Sequence, residues 1–181
     1  MLDQIIQRII RIVKFDYPVY REIKNDENAT TEALLIVLAA SLIGSLGTLF
    51  QGGGFGAFLL AVGIAVGGWL LWSWLTMFIG TRMFGGDTQF WPMARILGYA
   101  QTPRILGVLS IIPCLGGLVS LAAGIFSLVL GVIGVREALG VPTEKAIITV
   151  LIGWVVVFIL GVILTLLVLG TAFISVGFSA G

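Results

Sequence analysis

The stretch FLLAVGIAVGGWLLWSWLTMFI, residues 58–79, contains no charged residue and no proline. A helix needs about 20 apolar residues to cross a hydrocarbon core ~30 Å thick, so this stretch predicts a membrane-spanning helix. The whole chain agrees, since 59% of its residues are hydrophobic and only 10% are charged. Soluble domains do not have this composition. The sequence therefore predicts an all-α integral membrane protein.

Other apolar stretches extend this helix to a bundle of five transmembrane helices at residues 33–178, with no room for a separate catalytic domain. The expected spans are about 33–50, 58–79, 92–112, 118–135 and 146–169. The third span is unusual because Pro103 and Arg104 lie inside it. Proline removes a backbone donor and kinks a helix. We expect residues 92–112 to cross as a broken helix, with re-entry from the same side as the alternative.

The basic residues indicate which ends of these spans lie inside the cell. They precede residue 33 and flank the loops that follow the second and fourth spans, whereas 51–56, 113–117 and the tail after Lys145 have none. Cytoplasmic loops are enriched in Lys and Arg. The N-terminus is therefore predicted in the cytoplasm and, with five spans, the C-terminus outside a plasma or inner membrane.

Residues 1–17 predict an amphipathic helix, with apolar residues at helical spacing and charged residues opposite them. Lying in the membrane interface, this helix could bury its isoleucines while Arg8, Arg11 and Lys14 meet anionic lipid. The alternative is a helix packed on the apolar surface of a partner protein. Residues 18–32 are expected to form a polar cytoplasmic connector.

Small residues recur on one face of two spans. They are Gly63 and Gly67 in the second span, and Gly116, Ser120 and Gly124 in the fourth. Small residues permit the close backbone approach that favours helix association in lipid. Packing within the bundle is the first interpretation of these residues, and an oligomer surface is the alternative.

Arg104 is the most unusual residue, because a charge deep in a bilayer is costly and normally faces a partner inside the bundle. One interpretation is a polar pocket opening to the cytoplasm, for a lipid headgroup or a partner's carboxylate. Its expected members are Arg95, Tyr99, Gln101, Arg104 and Glu137. The other interpretation is an arginine that extends to the headgroups and fixes the depth of a kinked helix.

Missing residue types exclude several functions. The chain has no histidine and a single cysteine, Cys114, which excludes histidine-ligated metal or haem sites and histidine-dependent nucleophiles. We therefore predict no enzymatic activity and no cofactor. The net charge of +1, without a basic stripe, argues against nucleic-acid binding. A transporter is disfavoured because no span contains an acidic residue for a proton or sodium ion.

Four stretches, in order, resemble the Ypt-interacting protein (Yip) domain family, particularly its short bacterial members. They are PVYREI at 18–23, RILGYAQTP at 95–103, VIGVREALG at 132–140 and KAII at 145–148. The resemblance implies a five-helix membrane fold with a cytosolic N-terminus. Eukaryotic members bind Rab-type GTPases through a longer cytosolic arm with an acidic motif. This chain has only Asp16-Tyr17-Pro18 there, so GTPase binding is doubtful.

Three functions remain at this point. The first is a non-enzymatic membrane organiser whose cytoplasmic face docks a partner or anionic lipid. The second is an accessory subunit that packs against other membrane protein subunits of a respiratory or photosynthetic complex. The third is a carrier of lipid or another small molecule through the pocket around Arg104.

Overall fold

The computed structural model describes residues 2–50, 54–105 and 116–179, and in these residues it contains seven α-helices. They are α1 (Leu2–Val13), α2 (Tyr17–Asn25), α3 (Ala29–Phe50), α4 (Gly54–Phe84), α5 (Phe90–Tyr99), α6 (Gly116–Leu139) and α7 (Thr143–Ser179). The expected all-helical architecture is thus present throughout the described part of the chain. The predicted turn at 113–117 and the second half of the predicted third span lie mostly outside these residues.

Four of the described helices are long and apolar enough to cross a membrane. The apolar stretches are Ala29–Leu46, Gly54–Phe84, Gly117–Leu139 and Thr143–Ile163. The predicted third span differs, because its described part is the ten-residue helix α5 followed by a 3-10 turn at 102–105. Ten helical residues extend about 15 Å, half of a hydrocarbon core. The chain is therefore a multi-pass membrane protein with four candidate spans, and a fifth is not confirmed.

The segment after α1 forms helix α2 over Tyr17–Asn25, and α3 begins at Ala29. The prediction of a polar connector at 18–32 therefore differs from the structure. Helix α2 begins one residue before Pro18, which fits the first helical turn because the missing N–H has no partner there in any helix. Val19, Tyr20 and Ile23 lie on one face of α2, within about one helical turn, and are fully buried. An amphipathic pattern in this short segment therefore forms a helix that packs on the bundle.

Helix α5 lies at the centre of the packed core. Met93, Ile96 and Leu97 are fully buried. Gly98 lies so close to α3 that a Cβ added to it would be 2.7 Å from the Cβ of Ala33. On the other side, a Cβ added to Gly134 of α6 would be 2.4 Å from the Ile96 side chain. These two glycines allow α5 to fit between α3 and α6.

The ends of several helices meet beside α5. The Asp87 N–H, just beyond α4, donates to the carbonyl of Leu139 at the end of α6 over 3.1 Å. Gly140, at φ +68°, adopts the left-handed conformation that ends α6 and turns the chain into α7. We call this region the charged end: α1, α2, α5, the starts of α3 and α7, and the ends of α4 and α6. Farther from it, the apolar side chains of α4, α6 and α7 are largely exposed, as is expected of surfaces in contact with lipid.

The small residues expected to pack inside the bundle do not all do so. Among the described residues, a Cβ added at Gly63, Gly67 or Gly124 would meet nothing within 4 Å. The surroundings of the Gly116 and Ser120 side-chain positions lie outside the described part. The tight contacts between helices are made instead by other glycines, such as Gly98 and Gly134. The spacing of small residues along a helix shows that they share a face, but not whether that face meets a neighbouring helix.

Candidate binding surface at the charged end

Helix α1 is attached to the bundle through the buried side chain of Arg8. Its Nη2 atom lies 2.5 Å from Asp26 Oδ2, and its Nη1 donates to Glu32 Oε2 over 2.6 Å. The Tyr99 hydroxyl donates a hydrogen bond to the same Glu32 oxygen. Arg8 is only 7% exposed and Glu32 only 2%. Four segments (α1, the α2–α3 loop, α3 and α5) are thereby joined by one arginine and its acceptors.

The charges of this network stabilise one another. Burial opposes the charge of Arg8, but hydrogen bonds with Asp26, Tyr99 and Glu32 outweigh burial and raise the pKa of its guanidinium. The hydrogen bond from Arg8 holds the pKa of Asp26 below its ordinary value. Removing one partner of a buried ion pair leaves the other uncompensated, which costs about 3–5 kcal/mol. This network is therefore a structural clamp for α1.

A second, more exposed group of charges joins α1 to α2. Arg11 Nε donates to Asp16 Oδ2 over 2.6 Å, and its Nη1 and Nη2 donate to the two carboxylate oxygens of Glu22 over 2.7 and 2.9 Å. The hydrogen bonds from Arg11 lower the pKa of Glu22. Of the residues predicted to meet lipid, Arg8 and Arg11 are thus engaged by carboxylates within the protein. Lys14 is exposed.

Helix α1 has three distinct faces. One is buried against the bundle and contains Ile5, Arg8 and Ile12. The second is apolar and exposed, and consists of Leu2, Ile6, Ile10 and Val13. The third is polar, with Asp3, Gln4, Gln7 and Arg11. The exposed apolar face has no partner among the described residues, although exposure of this kind is unfavourable in water.

The end of α1 lies beside a candidate membrane span. Phe15 packs edge-on against Phe126 of α6, with 6.0 Å between the ring centroids. Phe126 is 13 residues before Leu139, the last residue of α6, which corresponds to about 20 Å along the helix. Helix α1 therefore lies against the flank of α6 and not only over the charged end.

Two other basic residues cap helix ends rather than facing outward. Lys24 Nζ donates to the carbonyl of Ala138 over 2.7 Å, near the end of α6, and to that of Asp87 over 3.2 Å. Arg95 Nε donates to Thr30 Oγ1 over 2.6 Å, and its Nη1 donates to the carbonyl of Lys24 over 3.0 Å. Cations at carbonyl ends satisfy free acceptors and the negative end of the helix dipole.

Among the described residues, the members predicted for the pocket around Arg104 do not all come together. Arg104 Nη1 donates to Gln101 Oε1 over 3.2 Å, within the same turn of chain, and reaches none of the predicted carboxylates among the described residues. Tyr99 is bonded to Glu32, Arg95 to α2 and α3, and Glu137 to other arginines. These five residues were grouped by polarity and predicted depth, which do not fix the directions of their side chains.

A cleft between α2 and α6 was missed by the sequence reasoning. It has a volume of about 630 Å³ and is lined by Tyr17, Pro18, Arg21, Glu22, Asn25, Arg136 and Glu137. Arg21 Nε and Arg136 Nη2 each lie 3.4 Å from a different oxygen of Glu137. The guanidinium of Arg136 also lies over the Tyr17 ring, 5.4 Å from its centroid. From the sequence, Glu137 was expected to lie in the pocket around Arg104 and not beside Arg21.

Sequence signals for this cleft do exist. Arg21 and Glu22 belong to the stretch at 18–23, and Arg136 and Glu137 to that at 132–140, two of the four stretches on which the resemblance rests. The structure brings these stretches together across more than 100 residues of chain.

Comparison with protein-family models gives a match to the Yip1 domain over residues 15–177. The chain belongs to the Yip1 domain family. No curated protein and no solved structure matches it. Yip1 domain proteins are generally non-enzymatic membrane proteins.

The Yip1 domain match begins at residue 15, so α1 lies before it. The acceptors of Arg8 and the Glu22 carboxylate that Arg11 binds lie inside the matched region. Helix α1 therefore lies outside the matched region and is fastened to it by ion pairs.

Proposed function

We propose that this Yip1-family protein is a non-enzymatic organiser of the membrane, acting through α1 at its charged end. The observation that carries the proposal is the exposed apolar face of α1, formed by Leu2, Ile6, Ile10 and Val13. A helix with such a face inserts it among the acyl chains just below the headgroups, which adds material to one leaflet only. On this proposal, the charged end lies on the cytoplasmic side, as the basic residues predict.

The attachment of α1 to the bundle supports this function. A free amphipathic helix binds and leaves the membrane reversibly, and its orientation is set only by the lipid. Here Arg8 and Arg11 fasten α1 through four carboxylates, so its rotation about its own axis is fixed. The contact of Phe15 with Phe126 holds the end of α1 beside a candidate span. The apolar face is thus presented at one depth and one angle.

The first experiment locates this face. In a Cys114→Ser background, single cysteines replacing Ile6, Ile10 or Gln7 are spin-labelled in lipid nanodiscs. We expect labels at Ile6 and Ile10 to be accessible to oxygen, which concentrates in the acyl chains, and the label at Gln7 to be accessible to a water-soluble nickel complex. Equal access of the nickel complex to all three sites would refute the interfacial position of α1.

The second experiment tests what the face does. The protein is reconstituted in vesicles as wild type, as Ile6→Asp with Ile10→Asp, and as the charge-matched control Gln4→Asp with Gln7→Asp. We expect the isoleucine variant alone to lose the change in vesicle size and shape that the wild type produces, as seen by electron cryomicroscopy. If all three proteins give the same vesicles as lipid alone, membrane organisation by α1 is wrong.

A second candidate, an accessory subunit of a larger membrane complex, is favoured by the open glycines of α4. Gly63 and Gly67 lie four residues apart, and no described residue lies within 4 Å of either Cβ position. Another helix could approach there closely. On this alternative, gentle extraction and native mass spectrometry give a stoichiometric partner, which is lost on Gly63→Leu with Gly67→Leu. A monomer or self-dimer supports the organiser instead.

A further inference from the structure

The cleft between α2 and α6 has its two arginines on one side, next to a single carboxylate. Glu22, on its rim, is already bound by both terminal nitrogens of Arg11. Arg21 and Arg136 share the single carboxylate of Glu137, so positive charge is concentrated on their side of the cleft. Arg11 is shared between Glu22 and Asp16, so the charges of the six groups sum to zero (three cations and three anions). An anion on the side of Arg21 and Arg136 would meet two guanidinium groups that share one carboxylate.

The two arginines keep donors available for such an anion. Both lie 3.4 Å from Glu137, which is longer than the usual 2.7–2.9 Å of a charge-assisted hydrogen bond. The side chain of Arg21 is 76% exposed, whereas that of Glu137 is only 10% exposed, at the base of the cleft. Arg136 has a further contact, at 3.4 Å, with Thr143 Oγ1. Each guanidinium can therefore turn N–H groups into the cleft.

The position of the arginines is set by their surroundings. Glu137 lies between them, 3.4 Å from each, while the Tyr17 ring supports the guanidinium of Arg136. Cation–π contact of this kind leaves the edge of the guanidinium free for hydrogen bonds. Two planar guanidinium groups line this one cleft, and arginine binds the tetrahedral oxygens of a phosphate in a bidentate manner.

We infer that this cleft binds the phosphate group of an anionic molecule, held by Arg21 and Arg136. A volume of about 630 Å³ falls within the range of small-molecule sites, about 300–1,000 Å³, and exceeds what a bare phosphate ion fills. The headgroup of an anionic phospholipid supplies this chemistry at a membrane surface. The inference shares with the proposed function only the position of the charged end near the headgroups, and it does not depend on the apolar face of α1.

The test measures phospholipid binding by native mass spectrometry of the full-length protein. The protein is titrated with phosphatidylglycerol and, separately, with zwitterionic phosphatidylcholine. We expect tighter binding of phosphatidylglycerol, weakened at least about tenfold in Arg21→Gln with Arg136→Gln, since a hydrogen bond to a charged group contributes roughly one to two decades of affinity. The control Arg82→Gln removes an exposed arginine at the end of α4 and should keep the wild-type affinity.

A third variant gives a result of opposite sign. Glu137→Gln removes the carboxylate that competes with the ligand for both arginines, so phosphatidylglycerol should bind about threefold more tightly, or better. Unchanged or weaker binding in this variant overturns the inference, as does equal loss in the Arg82→Gln control. Equal binding of the two lipids by the wild type also overturns it. If the double arginine variant does not fold, Glu137→Gln alone decides.

Two further measurements complete the test. One distinguishes a free phosphate from a lipid headgroup as the ligand, and the other separates this inference from the proposed membrane-organising function. If millimolar inorganic phosphate displaces phosphatidylglycerol, the phosphate group alone is the ligand. If the lipid stays bound, the whole headgroup is recognised. The variant Ile6→Asp with Ile10→Asp should keep phosphatidylglycerol affinity even when it loses membrane shaping, so either proposal can fail without the other.

Discussion

Arg8 and Glu32 form a buried ion pair, with 2.6 Å between Nη1 and Oε2, that joins the N-terminal helix to the first turn of α3. A carboxylate early in a helix also lies at the positive end of the helix dipole. The same pair therefore serves two purposes: it neutralises a buried arginine and stabilises the start of a candidate membrane span.

Removing Arg8 should destabilise the protein. Arg8→Leu leaves Glu32 buried without its cation, so the free energy of unfolding should fall by about 3–5 kcal/mol. Arg8→Lys should recover part of this loss, because lysine keeps the charge but cannot bind Asp26 and Glu32 with separate nitrogens of one planar group. Tryptophan fluorescence during thermal unfolding in detergent measures both. Stability equal to wild type in Arg8→Leu would contradict the clamp.

Acid should release α1 before it unfolds the spans. The hydrogen bond from Arg8 lowers the folded-state pKa of Asp26, and that from Arg11 lowers the pKa of Glu22. A depressed folded-state pKa gives stability that is complete above the ordinary carboxyl pKa, about 4, and is lost as pH falls through the folded value. Protease cleavage of α1 should therefore be constant from pH 7 to about 5 and rise below about 4. In Arg8→Gln with Arg11→Gln, we expect rapid cleavage at every pH, with no such step.

Two buried tyrosines should respond in opposite directions to the same substitution. The Tyr99 hydroxyl donates to Glu32, so Tyr99→Phe should destabilise by about 1–3 kcal/mol. The Tyr20 hydroxyl is equally buried but has no hydrogen-bond partner among the described residues. Tyr20→Phe should therefore leave the melting temperature unchanged or raise it. A large loss of stability in Tyr20→Phe would show that its hydroxyl has a partner.

The tyrosines illustrate what a sequence of this kind allows to be predicted. Hydropathy alone placed the four long helices, because a bilayer imposes a length on any helix that crosses it. It did not identify an acceptor for the hydroxyl of either Tyr20 or Tyr99, because only tertiary contacts decide which hydroxyl finds one. The same limit applies to Arg8. It was assigned to lipid because its carboxylate partners, 18 and 24 residues away, are not evident from the sequence.

The cleft shows why the candidate site was harder to predict than the fold. Arg21 and Glu137 are separated by more than 100 residues, and α2 was taken for a connector. Helical spacing of Val19, Tyr20 and Ile23 was visible in the sequence, and an amphipathic α2 would have pointed Arg21 outward. The contact between α2 and α6 depends on Gly134. A side chain at this position would clash with Ile96 and Tyr20 and force α6 away from α2 and α5.

The close approach of α5 to α3 should tolerate no added volume. In Gly98→Ala, the new Cβ would lie 2.7 Å from the Cβ of Ala33, so stability should fall by about 1–3 kcal/mol. Adding Ala33→Gly removes the clashing methyl and should restore most of the loss. Gly63→Ala is the matched control in α4, where no described residue lies within 4 Å of the new Cβ, and it should be neutral or slightly stabilising. Failure of the double variant to recover would place the cost elsewhere.

The two ends of the chain should lie on opposite sides of the membrane. Helices α4 and α6 both finish at the charged end, where Asp87 bonds to Leu139. Because α6 has 24 residues, its first residue lies about 36 Å from that end. Helix α5 starts near the charged end and extends about 15 Å, so the chain between Tyr99 and Gly116 has to cover the remaining distance to the start of α6. Residues 90–116 therefore connect the two sides of the membrane, which favours an odd number of crossings in all. Helix α7 then leaves the charged end again from Thr143.

Reporter fusions test this arrangement. Fusions after Lys24, Asp87 and Gly140 should all report the cytoplasm, because these residues lie at the charged end with most of the basic residues. A fusion after Gly181 should report the opposite side. Added charge provides the control. If the basic residues set the orientation, lysines added to the uncharged 51–56 connection should favour its retention in the cytoplasm, so that each fusion reports a mixture of two orientations. A C-terminal fusion on the same side as Lys24 would instead mean an even number of crossings, with residues 92–117 re-entering the membrane from the charged end.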